Sequence, residues 1–342
     1  MKLFKKNFKN TLLVFISLFF SLLILEIFLH KFDYKFFKKK IREYNYEFIA
    51  NYKYNKEGYR DEEFFKDEKK IILIGDSFVF GSAVDEPYTI DKFLEKKYLD
   101  KNNKKINIFN LGVPGADIND YLNILKKNIS SSVEKIFIFI YVDNDIYSNF
   151  GKDSLKMNII KYIDNLKFLN LLSSNLIKDR ITNLDFYDDY QINEKYKKIF
   201  QSKLANPYLL SLKYRGNFSD YYNQMFVWFK NSEKENLKKI IEISNQNKSE
   251  LIFVLIPSKF QVKLEYQTLP KKEFEYKFDT NKVVNNNVQI AMIEWFKEKN
   301  VNIVDLLPVL KKSKKLNYYI IDDHFNKFGN ELTSETLIEF LN

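Results

Sequence analysis

The sequence predicts an α/β fold: a parallel sheet with helices on both faces, a helical insertion within it, and one membrane-spanning helix ahead of it. Three observations predict this. Short continuous apolar runs recur at 70–75 (KIILIG), 106–112 (INIFNLG), 134–142 (EKIFIFIYV), 250–257 (ELIFVLIP) and 301–307 (VNIVDLL), the pattern of strands buried on both faces. Helical patterns at 88–98, 117–130, 232–247, 284–299 and 328–341 alternate with them, and that alternation implies βαβ units. Residues 11–29 (TLLVFISLFFSLLILEIFL) form an apolar run with a single acid, about 28 Å long as a helix and matched to the hydrocarbon core of a bilayer.

That apolar run defines the first segment, residues 1–30. Lys2, Lys5, Lys6 and Lys9 precede it and no small-residue cleavage site follows, so it reads as a retained signal anchor. Glu26 lies near its far end, at interfacial depth. Lysines also crowd the downstream flank, so charge alone does not set the orientation. Residues 31–69, charged and aromatic, read as a juxtamembrane linker with a turn pivoting on Gly58. Residues 70–342 form the α/β domain. Within it, 147–231 is helical and aromatic without a clear strand, and reads as an insertion: a cap over a site, or plain helical packing.

Composition narrows the chemistry. The 342 residues are 45% hydrophobic, enough for a sizeable core. There is no cysteine, which removes disulfides, thiolate nucleophiles and cysteine-based metal sites. The net charge is +10, but residues 1–45 hold ten Lys/Arg against three acids and so supply +7 of it. The excess sits around the apolar run, where it suits anionic headgroups. No recognition motif accompanies the charge, and nucleic acid is not expected as a partner.

The chemistry-bearing residues gather after the strands. KIILIG runs into Gly75-Asp76-Ser77, with Gly81 beyond. A serine there stands at a strand's carboxyl end, the ligand-binding edge of open α/β sheets, and near a helix N-terminus. Neither phosphate-loop pattern, G-x-x-x-x-G-K-[ST] or G-x-G-x-x-G, is present. A serine hydroxyl needs a base. Of two histidines, His30 lies at the membrane end, leaving His324, preceded by Asp322 and Asp323. NLGVPGAD (110–117) follows the second strand and can aim a bare backbone N–H at a ligand. VDNDI (142–146) follows the third and carries the Asn144 amide. These are the donors an acyl-transfer oxyanion requires.

In this order, the Gly-Asp-Ser block, Asn-x-x-x-x-Gly, Asn-Asp and Asp-x-His resemble the SGNH/GDSL hydrolase superfamily. The closest likeness is to bacterial members with one N-terminal membrane helix, where a turn like Gly58-Tyr59-Arg60 precedes the first strand. The resemblance covers 55–145 and 300–341 and leaves 147–231 untouched. It implies a three-layer flavodoxin-like sheet, with Ser77 as nucleophile and His324 as base. Asp322 would orient the histidine, and the oxyanion would be held by Ser77, Gly115 and Asn144. Two positions depart from the common pattern: Ile321 stands where many members have aspartate, and Val142-Asp143 precede Asn144 where many have a glycine. The Asp-x-His spacing resembles the glycan-acetylation branches and favours Asp322 over Asp323.

What the resemblance implies is a serine esterase or O-acyltransferase without metal or organic cofactor. Its expected substrate is an acyl ester, such as the O-acetyl groups of a cell-envelope glycan, at the outer side of the bacterial cytoplasmic membrane. Lipid esters are a second expectation. A non-catalytic glycan-binding or assembly protein of the same fold is the rival. A solute-binding α/β protein would leave His324 and its acidic neighbours unexplained.

Overall fold

A computed structural model describes residues 41–44, 47–63, 70–142, 145, 233–263, 265–266, 286–320 and 322–341, with single positions 17, 20, 21 and 24. The insertion read at 147–231, Asp143 and Asn144 lie outside the described residues, as does 11–29 apart from those single positions. Among the described residues no helix is long and apolar enough to cross a membrane. The chain divides into two compact units, 1–40 with 149–184 and 41–148 with 185–342. Every element below belongs to the second.

Seven strands are described: β1 (Ile41–Tyr44), β2 (Ile49–Tyr52), β3 (Lys70–Gly75), β4 (Ile108–Gly112), β5 (Val133–Tyr141), β6 (Glu250–Ile256) and β7 (Asn302–Asp305). The last five form one sheet in the order β4-β3-β5-β6-β7, parallel at every pairing. This matches the α/β expectation, and the five apolar runs are the five strands. β3, β5 and β6 are buried almost throughout, because helices cover both faces and no alternation with polar residues is needed.

The helices are α1 (Ser77–Phe80), α2 (Ile90–Asn102), α3 (Ile118–Asn128), α4 (Lys234–Asn247), α5 (Lys259–Val262), α6 (Asn287–Glu298), α7 (Leu307–Lys312) and α8 (Lys327–Leu337). The chain steps from β3 outward to β4, then back across β3 to β5 and onward. With right-handed crossovers, that reversal sends α2 to one face and α3, α4 and α6 to the other. The packing agrees: α2 lies against α8, and α3 against α4. The reversal opens a crevice at the carboxyl end of β3, and Ser77 stands at its mouth, two residues beyond Gly75.

Two glycines make this mouth possible. A Cβ on Gly112, at the end of β4, would lie 2.1 Å from the Phe80 nitrogen, so only glycine lets β4 approach α1. Gly81 caps α1 in the left-handed region at φ +75°.

The described parts of the segment read as a linker, 41–44 and 47–63, are not a tether but part of the α/β unit. β1 and β2 form an antiparallel hairpin. Phe48, Ala50 and Tyr52 pack in one small core with Phe80, Ala83 and Tyr319. The Ala83 N–H donates to Tyr52 Oη (2.9 Å), and Tyr319 Oη donates to the Ala83 carbonyl (2.8 Å). Arg60 is buried, and its guanidinium donates to the carbonyls of Phe80 (3.2 Å), Gly81 and Val84 (2.7 Å). It also lies over the Tyr52 ring at 4.5 Å. The reason is hydrogen-bond accounting: the tight turn after Ser77 leaves buried carbonyls that no helix can satisfy, and a fork of guanidinium donors meets them.

Arg60→Ala would remove the guanidinium donors from these buried carbonyls and leave Gly81 only the long bond from the Val84 N–H (3.4 Å). The expected outcome is a loss of about 3 kcal/mol or more of unfolding free energy, read as a lowered denaturant midpoint at unchanged slope.

Candidate active site

Ser77 is the first residue of α1, a helix of one turn. The Asp76 side chain caps it by accepting the Phe78 N–H at 2.9 Å. The serine therefore sits at a helix start, but of a helix too short to carry much dipole. β3 ends at Gly75, so the hydroxyl emerges from the sheet edge.

His324 arrives from the other end of the chain. Tyr318 and Phe325 form an isolated antiparallel bridge, and the Tyr319 N–H donates to the His324 carbonyl at 3.1 Å. The two sides of this segment are thus held together at Tyr318–Phe325 and Tyr319–His324. His324 Nε2 lies 2.8 Å from Ser77 Oγ, and Nδ1 lies 2.6 Å from Asp322 Oδ1. The same Asp322 oxygen accepts the His324 backbone N–H at 2.9 Å. With the proton assigned to Nδ1, the nitrogen beside the carboxylate, Nε2 is left to accept the serine proton. Beneath the imidazole, the Phe78 ring lies 5.4 Å away and itself packs on Tyr141 and Phe325.

The structure brings Ser77, His324 and Asp322 into one hydrogen-bonded line. Asp323 is turned aside and pairs with Lys259 Nζ at 3.0 Å. Gly115 stands at the same sheet edge, in the loop after β4, exposed and in the left-handed region at φ +77°. That loop is tied to the end of β3 by the Val113 N–H, which donates to the Gly75 carbonyl at 3.0 Å. Asn110 secures it from below. Its side-chain amide donates to the Val79 carbonyl (2.6 Å) and to buried Asp91 (2.7 Å), and its oxygen accepts the Gly112 N–H (3.0 Å).

Carboxylates dominate the electrostatics. Burial opposes a charge on His324, but the Asp322 charge and hydrogen bond, helped by Asp76 and Asp323, raise its pKa to about 9. For Asp322, burial pushes up, yet the imidazolium charge and its hydrogen bonds hold the carboxyl below its ordinary value. Asp76 is raised by burial against the pull of His324. Asp145, which the sequence reading passed over, is buried behind this group. It accepts from Tyr121 Oη and from the Tyr141 N–H (2.7 Å), and burial with the Asp76 charge pushes its pKa far up.

Two further residues escaped the sequence reading. Glu47 accepts the N–H groups of Ile320 and Asp322, both at 2.7 Å. Lys259 donates to the carbonyls of Ile320 (2.9 Å) and Asp322 (3.0 Å). Lys259 follows β6, so its place just past a strand end was the available signal. Glu47 had none, lying among many charged residues of the N-terminal segment. Among the described residues no cluster of His, Asp and Glu is suited to a metal ion.

No family model matches the chain. Similar solved structures include a lipolytic protein of the G-D-S-L family from Veillonella parvula, 14% identical over 79% of this chain and 96% of that chain, TM-score 0.40. A lipase/acylhydrolase from Enterococcus faecalis is 15% identical over 80% and 95%, TM-score 0.40. An acetyl xylan esterase is 10% identical over 80% and 100%, TM-score 0.41. A curated relative, a RING finger protein of Plasmodium falciparum, is 29% identical over 74% of this chain, which spans only 19% of that protein. With no cysteine and two histidines, this chain lacks the ligands of a zinc ring. None of these likenesses is strong enough to fix a function, and the geometry around Ser77 does not depend on them.

The two histidines allow a direct test. His324 is expected to titrate near 9 by NMR, and Asp322→Asn to lower that value toward the ordinary 6.5 by removing the leading attraction. Because the folded state raises this pKa, it favours the protonated ring. That contribution to stability is full below 6.5 and disappears as pH rises through about 9. Unfolding midpoints should fall across that window in the wild type and less so in His324→Asn.

Proposed function

We propose that the protein is a serine-dependent ester hydrolase. The observation that carries this reading is the line from Ser77 Oγ through both nitrogens of His324 to the Asp322 carboxylate, at 2.8 and 2.6 Å. A nucleophile, a base and an orienting acid at such distances are what acyl transfer requires.

In this reaction the Ser77 oxygen bonds to the acyl carbon as Nε2 takes its proton. That proton passes to the departing alcohol oxygen when the ester C–O bond breaks. Water then attacks the acyl-serine with His324 again as base, releasing the acid and restoring the serine. The backbone N–H groups of Ser77 and Gly115 and the Asn144 amide are the donors assigned to the oxyanion. Removing one such donor typically costs about 10²–10³ in rate.

The substrate we assign is an acyl ester, with acetyl groups on a cell-envelope glycan favoured by the resemblance of the Asp322-x-His324 spacing to the glycan-acetylation branches of the SGNH/GDSL superfamily. Transfer of the acyl group to a sugar hydroxyl instead of water uses the same machinery. Residues 11–29 would hold the enzyme at the outer face of a bacterial cytoplasmic membrane.

The test is covalent labelling of the full chain in detergent with a fluorophosphonate. Wild type is expected to label at Ser77, at a rate that rises with pH as His324 loses its proton toward about 9. Ser77→Ala should not label, and His324→Ala should label at least about 10³-fold more slowly. A folded wild type that does not label overturns the hydrolase reading and leaves a glycan-binding protein of the same fold. Where wild type does label, acetate release from an acetylated glycan separates the substrate classes.

A further inference from the structure

We infer that Glu47 and Lys259 are positioning residues: as a pair of opposite charges they grip the backbone of the 320–323 loop from its two sides and hold Asp322 and His324 in register with Ser77. The inference rests on the hydrolase reading for its catalytic consequence, but not for its geometry.

The loop has a structural difficulty. Residues 320, 322 and 323 belong to neither helix nor strand, yet Ile320 and Asp322 are buried. Their backbone N–H and C=O groups must find partners inside the protein. One carboxylate takes both N–H groups: Glu47 Oε1 accepts from Ile320 and Oε2 from Asp322. One ammonium takes both carbonyls: Lys259 Nζ donates to Ile320 and Asp322. All four groups of these two residues are thereby satisfied by two side chains from distant elements. Glu47 comes from the turn between β1 and β2, and Lys259 from the start of α5.

Both side chains are unusual where they are. Lys259 is 0% exposed and Glu47 7%. Burying such charges is expensive; apolar residues could fill the same space, but they would leave four buried backbone groups of Ile320 and Asp322 without partners. What apolar residues cannot do is set the rotation of the Asp322 peptide. The Asp322 carboxylate bonds both the ring and the backbone N–H of His324, so a tilt of that peptide is passed directly to the imidazole. Lys259 has a second effect. By pairing with Asp323 at 3.0 Å it draws away the neighbouring carboxylate that could compete for Nδ1.

The experiment compares Glu47→Gln, Lys259→Met and a core control, Leu237→Ala, all in the full chain. Leu237 is buried on α4, away from the loop. Two readouts are taken: the fluorophosphonate labelling rate per folded molecule, and the His324 titration by NMR. Both clamp variants are expected to label at least about tenfold more slowly. Leu237→Ala should lower the melting temperature and leave the labelling rate unchanged. Both clamp variants are also expected to lower the His324 titration from about 9, because Asp322 leaves the ring. Lys259→Met is the discriminating case: loss of a nearby positive charge would by itself raise that titration, whereas loss of the Asp322 position lowers it. If Lys259→Met does not fold, the labelling rate of Glu47→Gln carries the test, since that variant retains the shape of the side chain and loses one acceptor, whereas loss of its negative charge would by itself lower the titration.

A folded Glu47→Gln with wild-type labelling, or clamp variants with an unmoved or raised His324 titration, overturns the inference. A wild type that never labels, with a titration that still falls in both variants, refutes the hydrolase reading and leaves the clamp standing. If both readouts fail, both readings fail.

Discussion

Ser77 and His324 are 247 residues apart in the chain and 2.8 Å apart in space. A hydrogen bond of that length tolerates errors of only a few tenths of an ångström. Much of the described unit can be understood as the means of meeting that constraint. The parallel sheet fixes one end. β3 is hydrogen-bonded on both sides, to β4 and β5, and is buried on both faces. Its exit point cannot wander, and Asp76 pins the next turn. The other end is a loop, the kind of segment that is ordinarily least well placed in a protein. Its precision comes from partners outside itself: the bridge at Tyr318 and Phe325, the Tyr319 hydroxyl on Ala83, and the two charges on the backbone of 320 and 322.

The same crowding sets the electrostatics. Asp76, Asp322 and Asp323 all raise the pKa of His324. Glu47 is raised to about 7, burial being the main cause and Lys259 acting against it. Burial and the Asp76 charge push the Asp145 carboxyl far above its ordinary value. A base with a high pKa is strong but mostly occupied near neutral pH. Binding of an uncharged ester would further desolvate the imidazolium and push its pKa down, freeing the base at the moment it is used.

Much of this architecture was legible in the residues. Parallel strands need continuous apolar runs, so KIILIG, EKIFIFIYV and ELIFVLIP could hardly be anything else in an alternating pattern. Ser77 and His324 stood out because each is of a reactive type beside acids or glycines at a strand end or loop. The choice between Asp322 and Asp323 was open because adjacent residues differ only in which way the backbone turns them, and that is decided by Lys259, some sixty residues away. Segment 47–63 was misread for a related reason. A charged residue looks the same in sequence whether it faces water or takes a buried backbone group. Arg60 and Glu47 do the latter, and their partners are the turn after Ser77 and the loop before His324, which no local period encodes. Gly58-Tyr59-Arg60 was noticed, but only as a likeness; the reason for the arginine is the set of carbonyls it satisfies.

This changes what the N-terminal segment is. The hairpin and the Arg60 turn touch both halves of the site: Arg60 closes the turn that carries Ser77, and Glu47 holds the loop that carries His324. The sheet supplies the rigid edge for the serine, and just past β6 the Pro257 carbonyl and the Lys259 ammonium reach the histidine's loop. The serine's turn meets the histidine's loop directly, where Tyr319 Oη donates to the Ala83 carbonyl, and the segment that precedes the sheet braces that junction, with Tyr52 Oη accepting the Ala83 N–H. A domain boundary drawn at the first strand of the sheet would therefore cut through the support of the site. The α/β unit is complete only when it begins ahead of β3, at the hairpin itself.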